Sequence, residues 1–204
     1  MAGESHDLVD PDPLEAGTPL DPDDSEGLIP THVETRAELN QWEALNIAKA
    51  HAAFAGHRQL DLSVESLRRL HRTMFGETWK WAGEYRKSDK STSPWHWTQV
   101  AGLMHELVLD TRAQYGASDK TGSSLDAIAL RFHHRLVQIH PWPNGNGRHA
   151  RFATDLLLAS WGRPPFTWGN ADLIRATDAR GRYIAALRAA DASDFRLLRE
   201  FARS

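Results

Sequence analysis

Apolar residues recur along most of this chain at the three- and four-residue spacing of helices that bury one face. A first helix is predicted from a capping box at Thr35 and Glu38, with Leu39, Trp42, Leu45 and Ala48 as its apolar stripe and an end near Gly56. A second runs from Ser63, carries Leu67, Leu70 and Met74, and stops at Gly76. Between Trp79 and Trp97 the helical stripe disappears. A polar centre between aromatic-rich ends predicts a β-hairpin or extended flap there. Helical spacing resumes at Thr98 (Val100, Leu103, Leu107, Thr111) and again from Ser124, where Leu125, Ile128, Phe132, Leu136 and Ile139 share a face. Phe152, Leu156 and Leu157 mark the next helix, closed by Gly162 and Pro164-Pro165. Asn170 is a candidate N-cap for a helix holding Leu173, Tyr183 and Leu187, which Gly181 would divide. Phe195, Leu198 and Phe201 belong to a terminal helix. The pattern predicts an all-α fold with one β-hairpin flap.

Composition narrows the class. The 204 residues include no cysteine, which excludes disulfides and thiolate metal sites, and 41% hydrophobic with 25% charged residues is ordinary globular usage. The start of the chain has neither a basic n-region nor an apolar h-region, and no run is long enough to span a membrane, so the expectation is a cytoplasmic protein. The net charge of -3 hides an asymmetry: residues 1–30 hold nine of the 27 acidic residues and no Lys or Arg, leaving about +6 on the remainder. An acidic, Pro-rich segment (1–34) is therefore set apart from a folded domain (35–204), either as a solvated tail or lying over a basic pocket. The positive excess is modest and shows no recognition-helix pattern, so no nucleic-acid partner is expected.

Candidate chemistry concentrates at His140–Arg151, HPWPNGNGRHAR, between two helices. Gly145 and Gly147 permit positive φ, so successive N–H groups can converge on an anion where the next helix begins. Arg148 and Arg151 lie one turn apart and suit phosphate. His140 is a candidate general base. A base beside a phosphate cradle points to phosphoryl or nucleotidyl transfer. This is not a Walker loop, and the spacing of His133, His134, His140 and His149 fits no zinc pattern.

These residues resemble the signature of the Fic family, HPFx[D/E]GNGRxxR, with Trp142 in place of phenylalanine. WAGEYR (Trp81–Arg86), GRPP and RYIAAL are also similar to Fic sequences, so the likeness runs from about Leu39 to Phe201. TPLDPDDSEGLIPTH with ELNQWEALNI resembles the Fic subgroup called mobile mystery protein B. The resemblance implies a Fic-type helical bundle and transfer of AMP from ATP, with Mg²⁺, to a Ser, Thr or Tyr hydroxyl of a target protein. His140 would deprotonate that hydroxyl. Gly145, Asn146, Gly147 and Arg148 would hold the α- and β-phosphates, and Arg151 the γ-phosphate. Trp142 would anchor the loop, and Tyr183 matches an aromatic of the adenine pocket. Asp191 stands where relatives often have Asn. The flap (Arg86, Lys87, Ser88, Asp89, Lys90, Ser91, Thr92 and on to Trp97) would align a target strand by backbone pairing.

Asn144 departs from the family at the acidic, Mg²⁺-binding position. An amide oxygen can ligate Mg²⁺ but brings no charge, so a higher Mg²⁺ requirement is expected, which Asn144→Asp would lower. The same departure keeps open Doc-like phosphotransfer and a catalytically degenerate, protein-binding role. Many relatives carry an inhibitory [S/T]xxxE[G/N] glutamate that pairs with the second arginine. Glu26-Gly27 supplies its end, with Pro22 where Ser or Thr belongs, and Glu38 and Glu43 are rivals. An antitoxin-like partner would fit such a system.

Overall fold

Thr35 and Glu38 form the reciprocal cap expected of them. Glu38 N–H donates to Thr35 Oγ1 at 3.3 Å, and Glu38 Oε2 accepts from the N–H groups of Thr35 and Glu34. They open the first of seven α-helices laid out among the described residues of the computed structural model, which are 27–54, 60–118, 124–170 and 177–204. In chain order these are α1 Arg36–Phe54, α2 Val64–Phe75, α3 Val100–Gly116, α4 Leu125–Ile139, α5 Asn146–Ser160, α6 Thr177–Asp191 and α7 Arg196–Arg203. Ser63 and Ser124 cap α2 and α4 by accepting from Ser66 N and Ala127 N. Each thereby satisfies one of the amides that a helix start leaves without an internal partner.

Helix α4 is the axis of the packing. It lies against α3 on one side and α5 on the other, while α1 pairs with α2, α2 also touches α5, and α6 pairs with α7. The shared core holds Leu67, Leu70, Met74 and Phe75 of α2 with Phe132 and Leu136 of α4. Ala150, Ala153 and Leu157 of α5 and the loop residue Trp142 complete it, Trp142 being fully buried. Helix α7 is tied back by Arg203, whose guanidinium donates to both Asp126 carboxylate oxygens at 2.7 and 2.8 Å.

Three expectations are corrected. The hairpin is absent, since no strand forms among the described residues and residues 79–96 run as turns, with one isolated antiparallel bridge from Leu28 to Trp79. Arg86 explains why. Its side chain is 1% exposed and donates to His140 O, Ser88 O, Ser93 Oγ and Trp95 O, so the segment wraps around one guanidinium rather than pairing with itself. Secondly, Gly181 does not divide α6, which is continuous and leaves that position exposed. Thirdly, the buried face of α1 is not the predicted stripe. Leu45 is 58% exposed, and the face runs Leu39, Glu43, Asn46, Ala50. Two polar residues therefore point inward from α1: Glu43 towards Asn144 in the loop after α4, and Asn46 towards the turn after α2, where its Oδ1 accepts from Glu77 N. Positions 1–26, with Glu26, and the proposed cap-to-Leu173 region beyond Asn170 lie outside the described residues.

Candidate functional site

The site begins where α4 ends. His140 is the C-cap of that helix in the left-handed region, φ 52° and ψ 59°, a conformation that costs a non-glycine residue on the order of 1 kcal/mol. Arg86 holds it there: its backbone N–H donates to Pro141 O and its Nε to His140 O, both at 2.9 Å. The imidazole is only 9% exposed, and its Nδ1 is buried without a partner. Burial first, then the charges of Lys90 and Arg86, push its pKa down to about 4. The ring is therefore neutral at pH 7 and able to accept a proton.

The turn from Trp142 to Asn146 is closed by a reciprocal amide clamp. Asn146 Oδ1 accepts from Trp142 N, and Asn146 Nδ2 donates to Trp142 O, each at 2.9 Å. Trp142 stacks between His71 and Tyr85 and donates its indole N–H to His149 Nδ1. His71 Nδ1 accepts from Gly83 N, and its Nε2 donates to Asn144 O at 3.1 Å. His149 Nε2 donates to Leu67 O. These bonds assign each ring a neutral tautomer. Burial chiefly holds both pKa values down, His71 well below the ordinary range and His149 at about 4. The WAG turn and α2 are thereby riveted to the loop through two histidines that sequence reading left unassigned.

Gly145 has φ 77°, and a Cβ there would come within 2.4 Å of Phe75 Cζ, so both conformation and space demand glycine. Gly147 is different. It is helical, the second residue of α5, and a Cβ would meet only Arg151 Nη1 at 3.8 Å. The two-glycine nest expected from the sequence is thus one left-handed residue followed directly by a helix N-terminus. With the Asn146 side chain committed to Trp142, what faces an anion is the set of first-turn N–H groups of α5 and the positive end of its dipole.

The two arginines differ. Arg148 is 8% exposed, and its Nη1 lies 2.8 Å from Glu43 Oε2, itself 2% exposed. Glu43 Oε1 accepts from Trp79 Nε1 at 2.6 Å and sits 3.5 Å from Asn144 Nδ2. Arg151 lies over the Tyr183 ring, 5.4 Å from its centroid, and forms no ion pair among the described residues. The Tyr183 hydroxyl is bound to His133 Nε2 at 2.9 Å. Tyr183 is 7% exposed and carries Arg151 over its ring face. The carboxylate that meets the first arginine is Glu43, and the signal for it was legible: an acid in register with Leu39, Asn46 and Ala50.

Asn144 meets a Mg²⁺ site poorly. Its Oδ1 already accepts from Gly145 N at 2.6 Å, the adjacent carboxylate is taken by Arg148, and no cluster of three His, Cys, Asp or Glu suited to a metal occurs among the described residues. The residues present do not form a cation site by themselves.

Of the flap residues, Lys87, Ser88, Asp89 and Ser91 are exposed, and Lys90 and Thr92 are partly so. Arg86 is not presented to a target, being the buried anchor of the segment. Asp89 is held in place by Trp97 N–H. A cavity of about 410 Å³ opens beneath residues 91–94, floored by His134, Val137 and Gln138 of α4 and by Leu187 and Asp191 of α6.

An all-α bundle thus brings a neutral, strained histidine at one helix end to a glycine-led helix start carrying two arginines. Residues 61–158 match the family described as the Fic/DOC family. The chain is similar to Protein adenylyltransferase fic-1 of Caenorhabditis briggsae, 26% identical over 67% of this chain and 25% of that protein. It is 26% identical to Protein adenylyltransferase Fic of Drosophila virilis over 78% of this chain and 31% of that one. A Uridine 5'-monophosphate transferase of Xanthomonas campestris is 32% identical over 41% of this chain and 17% of its own. The matches thus span less than a third of these relatives' lengths. In fold the chain resembles BepC of Bartonella tribocorum, a structure with bound AMPPNP, at a TM-score of 0.62 and 17% identity over 87% of this chain and 94% of that one. No helix among the described residues is long and apolar enough to cross a membrane.

Proposed function

We propose that this chain transfers a nucleotidyl group, AMP from ATP in the form the adenylyltransferase relatives suggest, to a hydroxyl of a protein laid along residues 87–97. The observation that carries this reading is the juxtaposition of a neutral, buried His140 with the glycine-led start of α5. The imidazole of His140 takes the proton of the target hydroxyl. The freed oxygen forms a bond to the α-phosphorus as the bond to the bridging oxygen of pyrophosphate breaks. The charge developing on the leaving group is stabilised by the first-turn amides of α5 and by Arg148 and Arg151. No step is assigned to Mg²⁺. Exposed Lys87, Ser88, Asp89 and Ser91 would meet the target, and an antitoxin-like partner would bind elsewhere on the chain.

The Glu43–Arg148 pair supports a restrained resting form. A carboxylate there occupies donors that a phosphate would need, so nucleotide must displace it. Glu26, the regulatory candidate from the sequence, remains part of this proposal as a further acid from the N-terminal segment.

Two ATP samples, labelled at the α- or the γ-phosphate, test the reading on purified protein with lysate. Transfer of the α-label, abolished in His140→Ala and retained down to about pH 5 because the base titrates near 4, is the expected result. Transfer of the γ-label alone would assign phosphotransfer. No transfer of either label would leave a binding role.

A further inference from the structure

The cavity beneath residues 91–94 is placed to receive a nucleobase. On α6, Tyr183, Leu187 and Asp191 are spaced i, i+4, i+8 and so lie along one face. Tyr183 carries Arg151 at one end, and Leu187 and Asp191 line the cavity at the other, one and two turns further on. On α4, His134, Val137 and Gln138 line the same cavity in the last turns before His140. Apolar Val137, Leu187 and Pro94 supply surfaces for a flat ring. The hydroxyl of Thr92, buried and without a partner, can donate or accept and so serves any base.

Asp191 is the group that discriminates. Its Oδ1 accepts from His134 Nε2 at 2.8 Å and from Gln138 Nε2 at 2.6 Å, which fixes the carboxylate in orientation. A carboxylate only accepts, so this end of the cavity calls for a base edge made of donors. Guanine carries two adjacent donors, N1–H and the N2 amino group. Adenine offers only its N6 amino group there, and its N1 lone pair would face the carboxylate. Cytosine has the same defect, and the single N3–H of uracil is flanked by two carbonyl oxygens. Asp191 is half exposed, so the discrimination comes from the fixed direction of its carboxylate, held by His134 and Gln138, rather than from burial.

Resting on the nucleotidyl-transfer reading, we infer that Asp191 makes this a guanine-selective site, so that GTP is a better donor than ATP and GMP the group transferred most efficiently. The relatives' own names record both adenylyl and uridylyl donors. A different base is thus compatible with the scaffold.

The test compares α-labelled GTP, ATP, CTP and UTP as donors for the wild-type chain, Asp191→Asn and His140→Ala. Wild type should show a KM for GTP about tenfold below that for ATP, the size of charge-assisted donation by the guanine edge to Asp191 Oδ2, the oxygen that His134 and Gln138 leave open. Asp191→Asn should reverse the KM ratio, because an amide can donate to adenine N1. Equal or better use of ATP by wild type, or an unchanged ratio in the variant, overturns the inference. If no donor labels protein, the nucleotidyl-transfer reading fails on its own. Base selectivity is then decided by calorimetric binding of GMP against AMP to the wild-type chain, where tighter or equal AMP binding refutes it.

Discussion

Asn144 and Glu43 are best understood as one pair, a neutral amide beside a carboxylate whose charge Arg148 balances. The amide nitrogen of Asn144 is 3.5 Å from a buried carboxylate whose other oxygen holds Arg148. An aspartate at 144 would place two carboxylates in one buried space, and like charges so placed cannot both ionise readily. The substitution Asn144→Asp alone is therefore expected to disturb Glu43 and to lower the Mg²⁺ requirement only weakly. In the Glu43→Gln, Asn144→Asp double variant the new carboxylate has no acidic neighbour, and the requirement should fall several-fold. The single change Glu43→Gln loosens the hold on Arg148. It should destabilise the unliganded chain by up to about 3 kcal/mol while raising nucleotide-induced thermal stabilisation and the labelling rate. A magnesium titration and melting curves with and without nucleotide check this. Additive effects of the two substitutions would contradict the coupling.

At the scale of elements, the site is a junction of one helix end with one helix start, held by the segment that wraps Arg86. Burying that guanidinium and giving it four acceptors takes the place of the hairpin ladder. The same residue props the left-handed His140, so flap and base share one anchor. The start of α5 sets apart the two glycines of the signature. Gly145→Ala meets Phe75 and a positive φ, and should cost about 2 kcal/mol or more of stability. Gly147→Ala adds a methyl in a helix with open space around it and should gain up to about 1 kcal/mol while narrowing the cradle beside Arg151. Denaturant melts combined with label incorporation separate the two cases. If Gly147→Ala transfers label like wild type, the open space there is not where phosphate lies.

On the whole-molecule scale, several titratable groups are sealed in the core in the form that carries no charge. Burial drives His133 to about 3 and His149 to about 4, with His71 also well below its ordinary value. Their unfolded pKa is near 6.5, so between about pH 6.5 and 4 the unfolded chain binds more protons than the folded one. Stability is then complete above that window and lost as the pH falls through it. His149 alone accounts for roughly 3 kcal/mol at the acid limit. Asp155 acts in the opposite sense. Burial raises its carboxyl to about 7, so its folded form takes up a proton first and gains stability as the pH falls from about 7. One carboxyl against four imidazoles, with His140 also held down to about 4, leaves a net loss. Urea midpoints should decline steadily from pH 6.5 to 4.5, and a constant midpoint across that range would contradict the assignment of neutral buried histidines.

Much of this molecule was legible in the order of its residues. Caps at Thr35, Ser63 and Ser124, and the apolar spacing of α2 and α4, depend on neighbours three or four positions away. Local hydrogen bonding and one-sided burial therefore determine them from the sequence alone. The base, the glycine-led helix start and the two arginines were likewise contained within twelve consecutive residues. What only the tertiary structure decided depends on groups far apart in the chain. Glu43 meets Arg148 and Asn144 across about a hundred positions, Arg86 reaches His140 across 54, and Asp191 reaches His134 across 57. Periodicity is blind to such pairings, because an acid on a buried face or an arginine among aromatics shows no partner in the sequence. Low dielectric then makes those partners decisive, because a buried charge is tolerated only where the packing of distant helices brings its counterpart within reach.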